Sequence, residues 1–330
     1  MRDRKSHVKK GEPRRAPGQV LISDWVAYIT LRFTTAAIRA FPLEPVSTVM
    51  GTAWRWFGPL TKRHNRAMTN LARAFPDRST AELHLIAADH WENLGRTFAE
   101  ALAIDRIIAD AGRVRLEISP ELRSRLEAGG GLVLVSMHSA NWELAAYPFQ
   151  QFRPVAGLYK TTNNRLIDEY VVKQRLNVCN GGLFTDGHHT PGRIMRWVRG
   201  GNAMGILLDT RDRVGIVTNF FGRPAKTSPF PVMVARRLDV PIVAVRVIRH
   251  PRSRFVVEAM EVDVATSGDR DADVAATTQK LQDQLELWIR ERPGEWLWQQ
   301  KRWKVGRSAL ETGRRRETLP DSRAEPKSPA

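Results

Sequence analysis

The sequence is poor in several things, and each shortage excludes a class of protein. It has one cysteine, Cys179, in 330 residues. No disulfide framework or cysteine-based zinc ribbon is therefore available, and the usage fits a reducing compartment. No uncharged apolar run reaches the roughly 18 residues of a membrane span, which rules out a polytopic membrane protein. Acidic residues are short beside basic ones, Asp+Glu 35 against Lys+Arg 52, a formal net charge of +17. An excess of that size points to an anionic partner: nucleic acid, phospholipid or a phosphorylated substrate. No helix-turn-helix, ribonucleoprotein or zinc-finger pattern backs the first of these. There is no internal repeat and no G-x-S-x-G elbow to present a serine nucleophile. What is present is 42% apolar residues, enough for the packed core of one large domain or two small ones.

The chain divides by pattern. Residues 1–17 are basic, polar and Pro-containing and read as a disordered arm; residues 306–330 have the same character. The basic start is followed by no apolar segment with a small-residue cleavage site, so a signal peptide is not expected. Over 18–45, Leu21, Trp25, Tyr28, Leu31 and Phe33 recur at roughly helical spacing. Two readings stay open for this stretch: an interfacial helix with basic residues toward lipid headgroups, or an ordinary packed first helix. Pro42 and Pro45 are expected to end it. Residues 50–110 are helical throughout, with Asp77, Ser79 and Thr80 as cap candidates. The whole of 18–110 is expected to be a helical, membrane-associating region.

The period then changes. Short continuous apolar runs at 131–137, 203–209, 240–248 and 254–262 read as buried strands, with helices between them at about 163–177, 190–199, 227–239 and 274–291. The alternation predicts an α/β domain over 111–305 with a mainly parallel central sheet flanked by helices, carrying the α-helical N-terminal extension.

The string GLVLVSMHSANWELAAY, residues 131–147, carries the chemistry. His138 follows a strand directly, at the end where open α/β sheets gather their binding sites. Glu143 lies inside the start of the next expected helix. Five residues on an ideal helix put two side chains about 140° apart, so the pair can meet only if His138 sits in the loop. An imidazole held by a carboxylate is a general base of fixed tautomer whose imidazolium form is stabilised. With no protein nucleophile evident, its target is a substrate hydroxyl or water. Cys179 has no base near it in sequence and reads as a small buried apolar residue. Adjacent His188 and His189 have no further clustered ligands, so no metal is expected.

HSANWE, together with later segments, resembles the bacterial lipid A late acyltransferase family, within the wider glycerolipid-type His-x4-Asp/Glu acyltransferases. RHNRAMTNLARAFPDRSTAE (63–82) is similar to that family's basic N-terminal helices. LYKTTNNRLIDEYVVKQR (158–175) resembles a family segment that ends on an Arg, here Arg175. ILLDTRDRVGIVTNFFGRPAKTSP (206–229) resembles a strand-end Asp, here Asp209, followed by a Phe-Phe-Gly hairpin. WIRERPGEWLWQQKRWK (288–304) resembles its Trp-Leu-Trp ending. The resemblance runs in order over about residues 20–304.

It implies a glycerolipid acyltransferase-like fold and transfer of a fatty acyl group, from an acyl-carrier-protein or CoA thioester, to a hydroxyl of a lipid A precursor. His138 would deprotonate the acceptor and Glu143 would orient His138. Asn141, backbone amides or Arg175 would serve the developing oxyanion. Asp209 would orient substrate. Arg211 and Arg223, with Arg213 and Lys226 around the Gly-Phe-Phe loop, would bind phosphates. Trp142 would pack beside the site, while Trp296, Trp298 and Trp303 would be core or interfacial anchors. No cofactor is implied. The partners are the thioester donor, the lipid acceptor and an anionic membrane surface, at the cytoplasmic face of an inner membrane, with no nucleic acid. Another membrane glycolipid or aminolipid, such as a phosphatidylinositol mannoside, is the alternative acceptor. A non-catalytic binder of anionic lipid or nucleic acid is the reading from a different class. The chain departs from the family at Gln300, where a His is common, at Thr210 in place of Gln, and at Ser139 and Ala140 in place of Phe/Leu-Gly.

Overall fold

Five helices come first: α1 (Ile22–Arg39), α2 (Leu43–Phe57), α3 (His64–Ala74), α4 (Thr80–Ala101) and α5 (Ile104–Ile108). The computed structural model describes residues 20–185 and 187–303; the arm at 1–17 and the tail at 306–330 lie outside them. Ser79 caps α4 reciprocally, its Oγ accepting from the Glu82 amide at 3.3 Å while the Glu82 carboxylate accepts from the Ser79 amide at 2.8 Å. Pro45 does not end a helix as expected. It stands in the first turn of α2, where the missing N–H would have had no intrahelical partner.

Strands then alternate with helices: β1 (Val114–Glu117), α6 (Pro120–Glu127), β2 (Leu132–Ser136), β3 (Val155–Tyr159), α7 (Arg165–Arg175), β4 (Gly182–Thr185), α8 (Thr190–Arg199) and β5 (Ala203–Leu207). After a hairpin, β6 (Ile216–Phe220) and β7 (Arg223–Thr227), come α9 (Phe230–Leu238), β8 (Ile242–His250), β9 (Arg254–Val262) and α10 (Arg270–Glu291). The main sheet has the order β1-β9-β8-β2-β5-β3-β4. Neighbours in it are parallel except β8 and β9, which form an antiparallel pair and reverse one edge. This is the α/β architecture with a mainly parallel sheet that the alternation predicts.

β2 is buried along its whole length, as a central parallel strand covered on both faces must be. One core lies on each side of the sheet. The first joins Val133, Val135 and Met204 to Leu71, Ile86, Leu281 and Trp296; the second joins Leu132, Leu134 and Val243 to Ile38, Leu43 and Ile107. The N-terminal helices therefore supply both cores. α2 and α4 cross closely at glycine: a Cβ on Gly95 would stand 2.4 Å from the Met50 carbonyl oxygen.

The expected helix after β2 is not α-helical. Residues Trp142–Leu144 and Tyr147–Gln151 form two short 3-10 turns, because Pro148 bars an α-helix from running through 142–151.

Candidate active site

β2 and β5 run parallel and in register, with Ser136 paired to Leu207. His138 and Asp209 each lie two residues beyond that pair, so the register alone brings them to one place at the carboxyl end of the sheet. The His138 backbone amide donates to Asp209 Oδ2 at 2.9 Å, and its Nδ1 stands 2.8 Å from Asp209 Oδ1. Asp209 is fully buried, and Trp296 Nε1 and Gln300 Nε2 also donate to its Oδ2, at 2.8 and 2.9 Å. A carboxylate with that many donors is ionised: burial opposes the charge, but the His138 charge and hydrogen bonds and the Trp296 indole carry its pKa down.

An ionised acceptor on Nδ1 makes Nδ1 the protonated nitrogen of the ring. Nε2 is left with its lone pair, and it makes no hydrogen bond among the described residues. The side chain is 20% exposed, and the Trp142 ring lies against it with centroids 5.2 Å apart. Burial pulls the His138 pKa down, but the Asp209 charge and hydrogen bond outweigh it, with Glu143 adding and Arg175 opposing, so the net shift is upward.

The expected His138–Glu143 hydrogen bond is absent. Glu143 instead pairs with Arg175, which donates through Nε at 2.8 Å and NH2 at 2.5 Å. The reason is geometric: the 3-10 turn points Glu143 toward the end of α7, and Asp209 already occupies Nδ1. Trp142 Nε1 donates to the same carboxylate at 3.2 Å. The Arg175 guanidinium lies 5.0 Å from the Tyr159 ring centroid, and Tyr159 is anchored to Asp168. Asn164 caps α7 through the amides of Leu166 and Ile167, at 3.0 and 3.2 Å, which fixes the helix that delivers Arg175.

Asn141 points inward, toward Glu100 and away from the surroundings of His138 Nε2. It is wholly buried and its amide donates inward to Glu100 Oε2 at 3.2 Å. The amides of Ser139 and Ala140 are used by Met137 O and Glu295 O, at 2.9 and 3.1 Å. Ala140 has φ +48°, a left-handed conformation that glycine adopts more readily than alanine, and Thr97 Oγ1 donates to its carbonyl at 2.8 Å. Beneath this loop Glu100 also accepts from Arg249 and Ser47.

Arg211 is half-buried two residues beyond Asp209, its Nε enclosed and without a hydrogen-bond partner. Arg223 belongs elsewhere, at the tip of the β6–β7 hairpin, where its Nε donates to Arg73 O at 3.2 Å. Cys179 is buried, and burial pushes its thiol up to about 12. Among the described residues no cluster of three His, Cys, Asp or Glu side chains could hold a metal ion.

Trp296 and Gln300 are the polar partners that sequence reasoning missed. The Trp-Leu-Trp ending marked this segment, but as packing. Leu297 N donates to His138 O at 3.0 Å, so the chain between Pro293 and Trp303 is laid directly along the histidine loop. The arrangement can take a proton at His138 Nε2 and hold the resulting charge.

Residues 13–305 match the family of bacterial lipid A biosynthesis acyltransferases. Similar curated proteins include the phosphatidylinositol mannoside acyltransferases of Mycobacterium tuberculosis strains H37Rv and CDC 1551. Each is 26% identical over 289 residues, covering 81% of this chain and 85% of the relative. The chain belongs to the lipid A biosynthesis acyltransferase family and is an acyltransferase.

Proposed function

We propose that this acyltransferase moves a fatty acyl chain from an acyl thioester to a hydroxyl of a lipid A precursor, with His138 as general base and Asp209 as the group that orients it. One observation carries the reading: His138 Nδ1 is bound at 2.8 Å by a fully buried, ionised carboxylate, which leaves Nε2 as the proton acceptor.

Nε2 takes the proton of the acceptor hydroxyl as the oxygen attacks the thioester carbonyl. The imidazolium that forms is stabilised by Asp209. Collapse of the tetrahedral intermediate breaks the C–S bond, and the departing sulfur takes the proton back from Nε2. Arg175, clamped by Glu143 and 30% exposed, is the cationic donor for the oxyanion. Glu143 is then a positioning residue that acts through Arg175. A base of this kind contributes about 10²–10⁴-fold in rate.

The acceptor is a lipid, so the enzyme must work at a bilayer. Ile22, Trp25, Val26, Ile29 and Phe33 are all exposed along one face of α1, at the i, i+3, i+4, i+7 spacing of an amphipathic stripe. No helix among the described residues is long and apolar enough to cross a membrane. The reading is a peripheral enzyme seated by α1 on the anionic, cytoplasmic face of an inner membrane. Its other face serves contacts: α1 meets α7 through Asn164 Nδ2, which donates to Asp24 O at 2.9 Å.

A second acceptor, a phosphatidylinositol mannoside, is favoured by the mycobacterial relatives. Both acceptors present sugar-linked or acyl-chain hydroxyls on a membrane glycolipid, and the same base serves either. The test is acyl transfer by the purified protein from acyl-carrier-protein and acyl-CoA donors to each acceptor, in parallel with His138→Ala. Transfer to one acceptor that falls about 10²-fold or more in a folded His138→Ala protein supports the reading. Equal rates in wild type and variant move the base elsewhere, and transfer only to the mannoside replaces the lipid A acceptor.

A further inference from the structure

A concave surface lies outside the His138 site. It is an open cleft of about 800 Å³ lined by Arg73, Arg78, Arg223 and Arg290 around Phe75 and Phe221. It forms where the end of α3 and the turn before α4 meet the β6–β7 hairpin and the last turn of α10. Phe221 and Gly222 both have positive φ, +54° and +66°, and so turn the hairpin tip back over the Phe75 ring, 5.6 Å away between centroids.

The guanidiniums are organised in advance. Arg78 lies over Phe75 at 4.8 Å, and Arg290 over Phe221 at 4.6 Å. Arg223 is tethered through Nε to the Arg73 carbonyl. Stacking fixes the plane of Arg78 and the tether that of Arg223, leaving their terminal N–H groups unspent, while Arg290 gives Nε and NH2 to Glu286. The charge is also unbalanced. Arg290 has Glu286 at 2.6 Å, but Arg73, Arg78 and Arg223 make no ion pair among the described residues. Asp77 is the one carboxylate in the lining. The three unpaired arginines lining one concavity repel one another, and an anion bound between them removes that cost.

We infer that this cleft is a second ligand site, built to take clustered phosphate groups. Planar forks fit phosphate oxygens in bidentate pairs, and several forks facing one space fit a pyrophosphate or bisphosphate better than a single carboxylate. A soluble phosphate ester and a phosphorylated lipid headgroup share this chemistry. The inference does not rest on the acyl-transfer reading, because binding is measured without turnover.

The experiment uses the full chain, the Arg78→Gln/Arg223→Gln double variant, and an Arg115→Gln/Arg125→Gln control that loses the same charge outside the cleft. Inorganic pyrophosphate is titrated calorimetrically, and co-sedimentation is measured on phosphatidylcholine vesicles doped with phosphatidic acid. All four arginines are exposed, so the variants are expected to fold, and matched melting temperatures check it. The expected result is saturable binding of at least one probe, weakened about tenfold or more in the cleft variant and unchanged in the control. Pyrophosphate binding identifies a soluble phosphate as the source, and cleft-dependent vesicle binding alone identifies a headgroup. Failure of wild type to bind either probe, or an equal loss in cleft variant and control, overturns the inference.

Discussion

His138 and Asp209 are 71 residues apart in the chain and meet at 2.8 Å, because each overshoots a paired position of two parallel strands by the same two residues. Their coupling has a sign. The Asp209 charge holds the His138 pKa above its ordinary 6.5 against the pull of burial, and the base works only when neutral. The acidic limb of kcat/KM in wild type is therefore expected above pH 6.5. In Asp209→Asn the charge is gone and burial is not, so that limb moves to lower pH. The plateau rate falls about 10²–10⁴-fold, because the imidazolium loses its partner. A pH-rate profile of both proteins decides it; a limb that stays put in Asp209→Asn contradicts the assignment.

Glu143 is tied to Arg175, not to His138, and a double-mutant cycle separates the two pairings. Glu143→Gln and Arg175→Gln should each be costly alone. Their effects on kcat/KM should be strongly non-additive, since the second substitution removes a partner already lost. The acidic limb should move less in Glu143→Gln than in Asp209→Asn, because Glu143 acts on the imidazole only through space. Additive effects at 143 and 175 would show that the ion pair is incidental.

These two pairings mark how far the sequence could be read. β2, β5, β8 and β9 stand out as continuous apolar runs because buried strands must be apolar on both faces. β1, β3 and β4 were not legible as apolar runs, and the β6–β7 hairpin was named only through the family resemblance, because RPAKT carries a proline and two basic residues. His138 was legible from its place after a strand, and Asp209 only as a strand-end acid. Which acid takes the imidazole is decided by strand register and by the 3-10 turn at Trp142–Leu144, and neither has a local sequence pattern. Arg223 looked like part of the same basic loop as Arg211, yet the hairpin carries it to a separate cleft.

The α2–α4 crossing should be intolerant of any side chain at Gly95. A Cβ there meets the Met50 carbonyl at 2.4 Å and the Trp54 Cβ at 2.7 Å, and backbone cannot step aside as a flexible side chain can. Gly95→Val is expected to destabilise by about 1–3 kcal/mol through overpacking, read as a lower denaturation midpoint at unchanged m-value. Gly192→Val, where a Cβ meets nothing within 4 Å, provides the contrast and is expected to be near neutral, because Val is no worse than Gly in a helix.

The α1 stripe should matter for membranes and not for folding. Trp25 is 50% and Phe33 73% exposed, so replacing both by Ser removes little packing from the described fold. Each large apolar side chain that leaves water on docking contributes about 1.5 kcal/mol or more when fully buried. The double variant is expected to partition onto anionic vesicles at least about tenfold more weakly, with an unchanged melting temperature in buffer. Equal partitioning would move the lipid-facing surface elsewhere.

Gln300, where the family resemblance leads one to expect His, donates to Asp209 Oδ2 at 2.9 Å. A neutral donor stabilises the carboxylate and draws charge away from the oxygen that faces the imidazole. Gln300→Leu removes that donor, while the Trp296 indole and the His138 amide still hold Oδ2, so the geometry should persist. With the Asp209 charge less satisfied, its pull on the His138 proton strengthens. Glu143 and Arg175, the other charges acting on the ring, are untouched by the substitution. The acidic limb of kcat/KM is then expected to move up by about half a pH unit or more, with the high-pH plateau within a few-fold of wild type. A purely structural role would lower the plateau and leave the limb in place, so the pH profile separates the two. Gln300→His adds the sharper contrast: below its own pKa the new imidazolium would compete with His138 for Asp209 and drive the limb the opposite way, to lower pH.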